Sequence, residues 1–145
     1  MVEKSIPEFF HQLLKVRMAF RRVMISKLKE NNLDLTFEML QIIHALWLKE
    51  GESQQTLAMI TVRDKASVTC LLNNLEKRGL VERRVASDDG RSRLIYLSEK
   101  GETLSRVLKP IVQEVYDYLE DKIGKTATQW AVNYLEDVYE ELEKI

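Results

Sequence analysis

The sequence predicts a mainly α fold of the α+β class, with six helices and one β-hairpin. Three observations predict it. Apolar residues recur at three- and four-residue spacing along most of the 145-residue chain. Only five glycines and two prolines interrupt them. One turn-rich stretch, Ser87-Asp88-Asp89-Gly90-Arg91-Ser92, separates two short strand-like runs, which is the pattern of a hairpin.

The elements follow in order. The first helix covers about residues 5–30, where Ile6, Phe9, Phe10, Leu13, Leu14, Met18, Phe20, Met24 and Leu28 share helical spacing. Pro7 falls in its first turn, where a missing N–H is harmless. Thr36 to Lys49 is the second helix, with Thr36 or Asp34 as its cap. Ser53–Ile60 is a short third helix. Asp64–Lys77 is the fourth, with Asp64 as N-cap. Gly51 and Gly79 each follow a helical run as a stop signal. Arg83–Ala86 and Arg93–Leu97 are the two strands of the hairpin. Ser98 caps a long fifth helix through Leu104, Leu108, Val112, Val115 and Ile123, with a kink expected at Pro110. Gly124 separates it from a sixth helix that carries Trp130, Tyr134, Leu135, Val138 and Leu142.

Composition narrows the function classes. No stretch of 18 consecutive apolar residues occurs, so no membrane span is expected. The N-terminus lacks the apolar segment of a signal peptide. A single cysteine and two separated histidines, His11 and His44, leave neither an intrachain disulfide nor a structural metal site. No G-x-S-x-G, P-loop or H-E-x-x-H motif is present, so no catalytic residues, metal or cofactor are expected. The reading is a soluble, cytoplasmic, non-enzymatic protein.

The net charge of −1 hides an asymmetry. Residues 1–30 carry +4, 31–60 carry −3, 61–98 carry +3 and 99–145 carry −5. A basic middle is compatible with nucleic acid, and the acidic C-terminal region is expected to point away from it. The chain reads as one domain over residues 1–145. Residues 34–98 form a compact lobe, flanked by long amphipathic helices at 1–30 and 99–145. Apolar stripes that long need a partner, and a second copy supplies one.

The third and fourth helices have helix-turn-helix spacing. At about 100° per residue, Val68, Leu71, Leu72 and Leu75 of the fourth helix point to the core. Ala66, Cys70, Asn73 and Lys77 then point outward, flanked by Ser67, Thr69 and Asn74. Hydroxyls and amides suit base edges, and Lys77 suits a phosphate. Arg83, Arg84, Arg91 and Arg93 surround the hairpin, and a basic hairpin can place an arginine in a minor groove.

These residues resemble the MarR-type winged helix-turn-helix regulators. The similarity runs from Ser53-Gln54-Gln55-Thr56-Leu57-Ala58 through Asp64-Lys65-Ala66-Ser67-Val68-Thr69 to Leu71–Arg83. It ends in the wing signature D-x-R, here Asp89-Gly90-Arg91, followed by L-[ST]-x-x-G, here Leu97-Ser98-Glu99-Lys100-Gly101. The resemblance implies a homodimer joined through its N- and C-terminal helices. It implies a repressor of transcription that binds double-stranded DNA at an inverted-repeat operator and is released by a small-molecule effector. Carried over by position, Ser67, Thr69 and Cys70 become DNA contacts beside Asn73, Asn74, Lys77, Arg91 and Arg93. Asp89 orients Arg91 through a charge-assisted hydrogen bond.

Two departures stand out. Cys70, and Asn74 nearby, replace arginines frequent in the family, which removes paired arginine–guanine contacts there. Asn73 and Asn74 can instead pair with adenine, which favours A·T-rich half-sites. Cys70 has only Lys77 as a nearby helix cation, two turns away, which argues for a small groove residue over a reactive thiolate. An effector pocket in such proteins borders the second helix, and His44 and Trp47 with His11, Arg17 and Tyr116 are the candidates for it. Each also has an ordinary packing role open to it. The alternative reading is a winged-helix protein–protein module without DNA binding, which the missing arginines favour and the retained wing arginines oppose.

Overall fold

A computed structural model of the chain describes residues 4–86 and 93–145. Its elements are α1 (Ile6–Glu30), α2 (Phe37–Leu48), β1 (Glu52–Ser53), α3 (Gln54–Ile60), α4 (Lys65–Lys77), β2 (Val81–Val85), β3 (Arg93–Leu97), α5 (Glu99–Ile123) and α6 (Lys125–Glu143). The expected fold class is the observed one: helices dominate, with a small antiparallel sheet of order β1-β3-β2. Among the described residues no helix is long and apolar enough to cross a membrane.

The chain divides into two compact units, Met1–Val107 and Leu108–Ile145. The core of the first draws Met24 and Leu28 from α1 and Phe37, Leu40, Ile42, Ile43 and Leu46 from α2. Leu57, Val68, Leu72, Leu75, Val81, Ile95 and Leu97 complete it, all buried. Each large aliphatic side chain removed from water stabilises the fold by about 1.5–3 kcal/mol. The second unit holds the rest of α5, with Leu108, Val112 and Val115 buried, and α6, with no buried residue.

Local chemistry places the helix ends. Thr36, not Asp34, caps α2, accepting from Met39 N at 3.1 Å. Ser53 caps α3 through Thr56 N at 3.0 Å. At the end of α4, Gly79 adopts φ +71°. The Gly79 N–H then donates to Glu76 O, and the Leu80 N–H to Leu75 O, both at 2.9 Å. This Schellman arrangement satisfies two carbonyls that the helix would otherwise orphan.

The L-[ST]-x-x-G segment is a latch. Ser98 Oγ accepts from the Gly101 N–H at 3.0 Å and donates to Gly79 O at 2.5 Å. Lys100 Nζ donates to Arg78 O at 3.0 Å. A Cβ on Gly101 would lie 2.0 Å from the Leu80 carbonyl oxygen, so only glycine lets the start of α5 approach this closely.

Three elements differ from expectation. β2 starts at Val81 instead of Arg83, because Val81 is buried and pairs with Leu97 immediately after the Gly79 turn. β1 was not anticipated: two residues carry no periodicity, and only pairing of Glu52 with Ile95 and Ser53 with Leu94 makes them a strand. Leu71 is only half-buried, while Val68, Leu72 and Leu75 are fully in the core. As expected, α5 is a single helix that includes Pro110, which is exposed.

Candidate nucleic-acid interface

The turn from α3 into α4 sets the site. Thr61, Val62 and Arg63 repeat the Schellman pattern: Val62 N donates to Met59 O at 3.2 Å and Arg63 N to Ala58 O at 2.9 Å. Val62 takes the left-handed position at φ +53°, where glycine is usual. Asp64 then caps α4, accepting from the Ser67 N–H at 2.7 Å and the Ser67 hydroxyl at 2.9 Å. The Ser67 backbone N–H and hydroxyl hold the Asp64 carboxyl below the usual carboxylate range.

The outward face of α4 matches its angular reading. Ala66, Cys70, Asn73, Asn74 and Lys77 are exposed, and Ser67 and Thr69 are half-buried. Their hydrogen bonds separate them. Thr69 donates to Lys65 O at 2.9 Å and accepts from the Gln54 side chain of α3, so its hydroxyl is engaged in joining the two helices. Ser67 spends its proton on Asp64 and retains its lone pairs. Asn73 Oδ1 accepts from Arg83 Nη2 at 3.0 Å. Arg83 also meets Glu76 at 3.1 Å, so the acid exposed on this helix is charge-paired. Cys70 carries a free thiol at the surface.

The hairpin arginines are not equivalent. Arg83 is bound to α4, with its side chain only 14% exposed. Arg84 lies over the Tyr96 ring at 4.1 Å and pairs with Glu82 at 3.1 Å. Arg93, at the start of β3 opposite Val85, is exposed. Of the four expected basic groups, two are therefore committed within the fold. Asp89, Gly90 and Arg91, the expected wing tip, lie outside the described residues. A period-two reading from Val81 would have placed Arg83 on the same face as that buried valine and signalled its engagement. The Gln54–Thr69 link had no signal in the sequence.

The proposed effector residues are spread over both units. His11 and Arg17 are exposed on α1, with Arg17 over the Phe37 ring at 5.2 Å. His44 is half-buried and meets Trp47 edge-on at 4.6 Å. Burial pushes the His44 pKa down, which favours the neutral ring. Tyr116 belongs to the second unit, where burial pushes its phenol pKa up. An open groove of about 430 Å³ runs beside α6, lined by Val132, Leu135, Glu136, Tyr139 and Glu140.

Residues 24–108 match the family model described as transcriptional regulator SarA/Rot. The chain belongs to this family. This SarA/Rot regulator is 32% identical over 100 residues to the HTH-type transcriptional regulator SarZ of Staphylococcus saprophyticus, covering 69% of the chain and 67% of the relative. It is 32% identical over 115 residues to FarR of Neisseria gonorrhoeae, covering 79% and 76%. Against SarZ of Staphylococcus haemolyticus the match spans 58% of this chain and 57% of that protein. In three dimensions it superposes on S. aureus MepR in a DNA-binding conformation with a TM-score of 0.81, at 22% identity over 92% of this chain and 98% of that one. A MarR family regulator from Neisseria meningitidis gives a TM-score of 0.84 at 20% identity, covering 98% and 96%. The fold of this SarA/Rot regulator is therefore the MarR-type winged helix-turn-helix expected from the sequence.

Proposed function

We propose that this regulator is a cytoplasmic homodimer that represses transcription by binding double-stranded DNA at an inverted-repeat operator. One observation carries the reading. α4 presents a continuous outward face of small and polar side chains, ending in Lys77, and its one exposed acid is neutralised by Arg83. Such a helix enters a major groove without repelling phosphate. Cys70, Asn73, Asn74 and the Ser67 lone pairs then face base edges, and Lys77 meets the backbone. Thr69 acts by holding α3 to α4. Arg93 and Arg91, oriented by Asp89, reach the neighbouring minor groove.

Exposed apolar side chains support the dimer. Ile6, Phe10, Leu14 and Met18 form a stripe at four-residue spacing on α1, each more than 40% exposed. On α6, Trp130, Tyr134, Tyr139 and Leu142 are also exposed. A small-molecule effector near His44 and Trp47, with His11 and Arg17 of the same unit contributing, releases DNA by favouring an incompatible state of the dimer.

The experiment is binding to genomic DNA fragments over a salt series. Affinity is expected to fall steeply with salt, and Lys77→Ala to reduce the slope of log K against log salt by about one ion. Arg91→Ala is expected to weaken DNA binding. A protein–protein module, the reading that the internally committed Arg83 and Arg84 favour, instead shows no salt-dependent binding of duplex and no effect of Arg91→Ala on its partner.

A further inference from the structure

Arg83 reaches from β2 onto the exposed face of α4, where its two terminal nitrogens meet Asn73 and Glu76. A guanidinium has donors only. Asn73 must therefore turn its carbonyl oxygen toward Arg83, and the 3.0 Å bond is charge-assisted. The side-chain NH2 is the part of Asn73 left for another partner. Glu76 in turn holds Arg83 in place at 3.1 Å.

This arrangement changes what Asn73 can recognise. Pairing with adenine needs both ends of the amide: the oxygen accepts from N6, and the nitrogen donates to N7. An oxygen drawn toward a cation on β2 is a poor acceptor for N6. Guanine presents two acceptors, O6 and N7, and needs only the donor end. Asn74, whose side chain makes no hydrogen bond among the described residues, keeps both ends and the adenine reading.

We propose that Arg83 is a positioning residue for sequence recognition: by holding the Asn73 oxygen it makes Asn73 a donor, selecting guanine over adenine at the base that Asn73 meets. The inference rests on the DNA-binding reading above.

The test is selection of binding sites from randomised duplexes by the full-length protein, run on the wild type, Asn73→Ala and Arg83→Met. Asn73→Ala marks the relevant position, because preference there flattens. The wild type is expected to favour guanine over adenine at that position by about three- to tenfold, the range of one neutral hydrogen bond. Arg83→Met is expected to bring adenine to parity or above there, with the other positions unchanged. If Arg83 were merely structural, its loss would weaken all sequences alike and leave the base profile intact, which overturns the inference. Adenine preferred by the wild type, or a profile that Asn73→Ala leaves unchanged everywhere, also overturns it. If Arg83→Met does not fold, the wild-type and Asn73→Ala profiles can still overturn the inference, by an adenine preference in the first or an unchanged profile in the second. A wild type that binds no duplex at any salt overturns the DNA-binding reading and this inference together, whereas binding with the wrong profile overturns this inference alone.

Discussion

The Glu38 carboxylate of α2 accepts a hydrogen bond from Arg21 of α1 at 2.8 Å. Arg63, in the turn before α4, approaches the same oxygen to 4.0 Å and donates to Gln41 at 2.7 Å. One acid thus joins the N-terminal helix, the second helix and the helix-turn-helix. Burial alone raises its pKa. The Arg21 hydrogen bond and the charges of Arg21 and Arg63 outweigh that and hold the pKa below 4.5. The unfolded chain then takes up the proton first. The stability this group contributes is complete above about pH 4.5 and is lost as pH falls through the lower folded value. Glu38→Gln is expected to lower stability at neutral pH by about 1 kcal/mol and to reduce the further loss in acid. Urea melts across that pH range measure both, and an undiminished acid dependence in the variant contradicts the assignment.

Val62 is a β-branched residue at φ +53° with 89% of its surface exposed. Its side chain contributes little packing, and its backbone is strained. Val62→Gly is expected to raise stability by about 0.5–1 kcal/mol, since relief of the left-handed conformation outweighs the added freedom of the unfolded chain. A thermal melt gives the sign directly. A fall in melting temperature would mean that the valine side chain packs in solution.

Gly101→Ala tests the latch. The new methyl would meet the Leu80 carbonyl at 2.0 Å, and backbone cannot yield as a side-chain tip does. The expected loss is about 2–3 kcal/mol. Thr103→Ala, on an exposed part of the same helix, is expected to change stability by less than about 0.5 kcal/mol. Equal effects from the two would show that the close approach is not what fixes the start of α5.

Leu14→Glu addresses the dimer. Leu14 lies mid-stripe on α1 and is 58% exposed, so a charge there has little effect on the core. If the stripe is covered by a second copy, the dissociation constant is expected to rise by about tenfold or more. Light scattering over a dilution series reads it. An unchanged dilution curve would remove α1 from the interface.

Much of this fold was legible because its signals are local. Helical phase follows from spacing, and the Thr36, Asp64 and Ser98 caps act across three residues. The outward set on α4 follows from its angle alone. Gly79 marks the end of that helix because few other residues tolerate its backbone conformation. The winged helix-turn-helix and the outward face of its fourth helix were in this sense contained in the residues.

What each exposed side chain is free to do was decided by the tertiary structure. Arg83 sits ten residues from Asn73, and Gln54 fifteen from Thr69. Whether such groups meet depends on strand register and helix packing, which periodicity does not encode. The start of β2 at Val81 sends Arg83 toward α4 instead of solvent. The sequence by itself determined which face of α4 is presented. Only the packing of β2 and α3 against α4 decided that Thr69 is engaged and that Asn73 offers its donors, because a polar group's specificity is set by whichever of its hydrogen bonds the fold has already used.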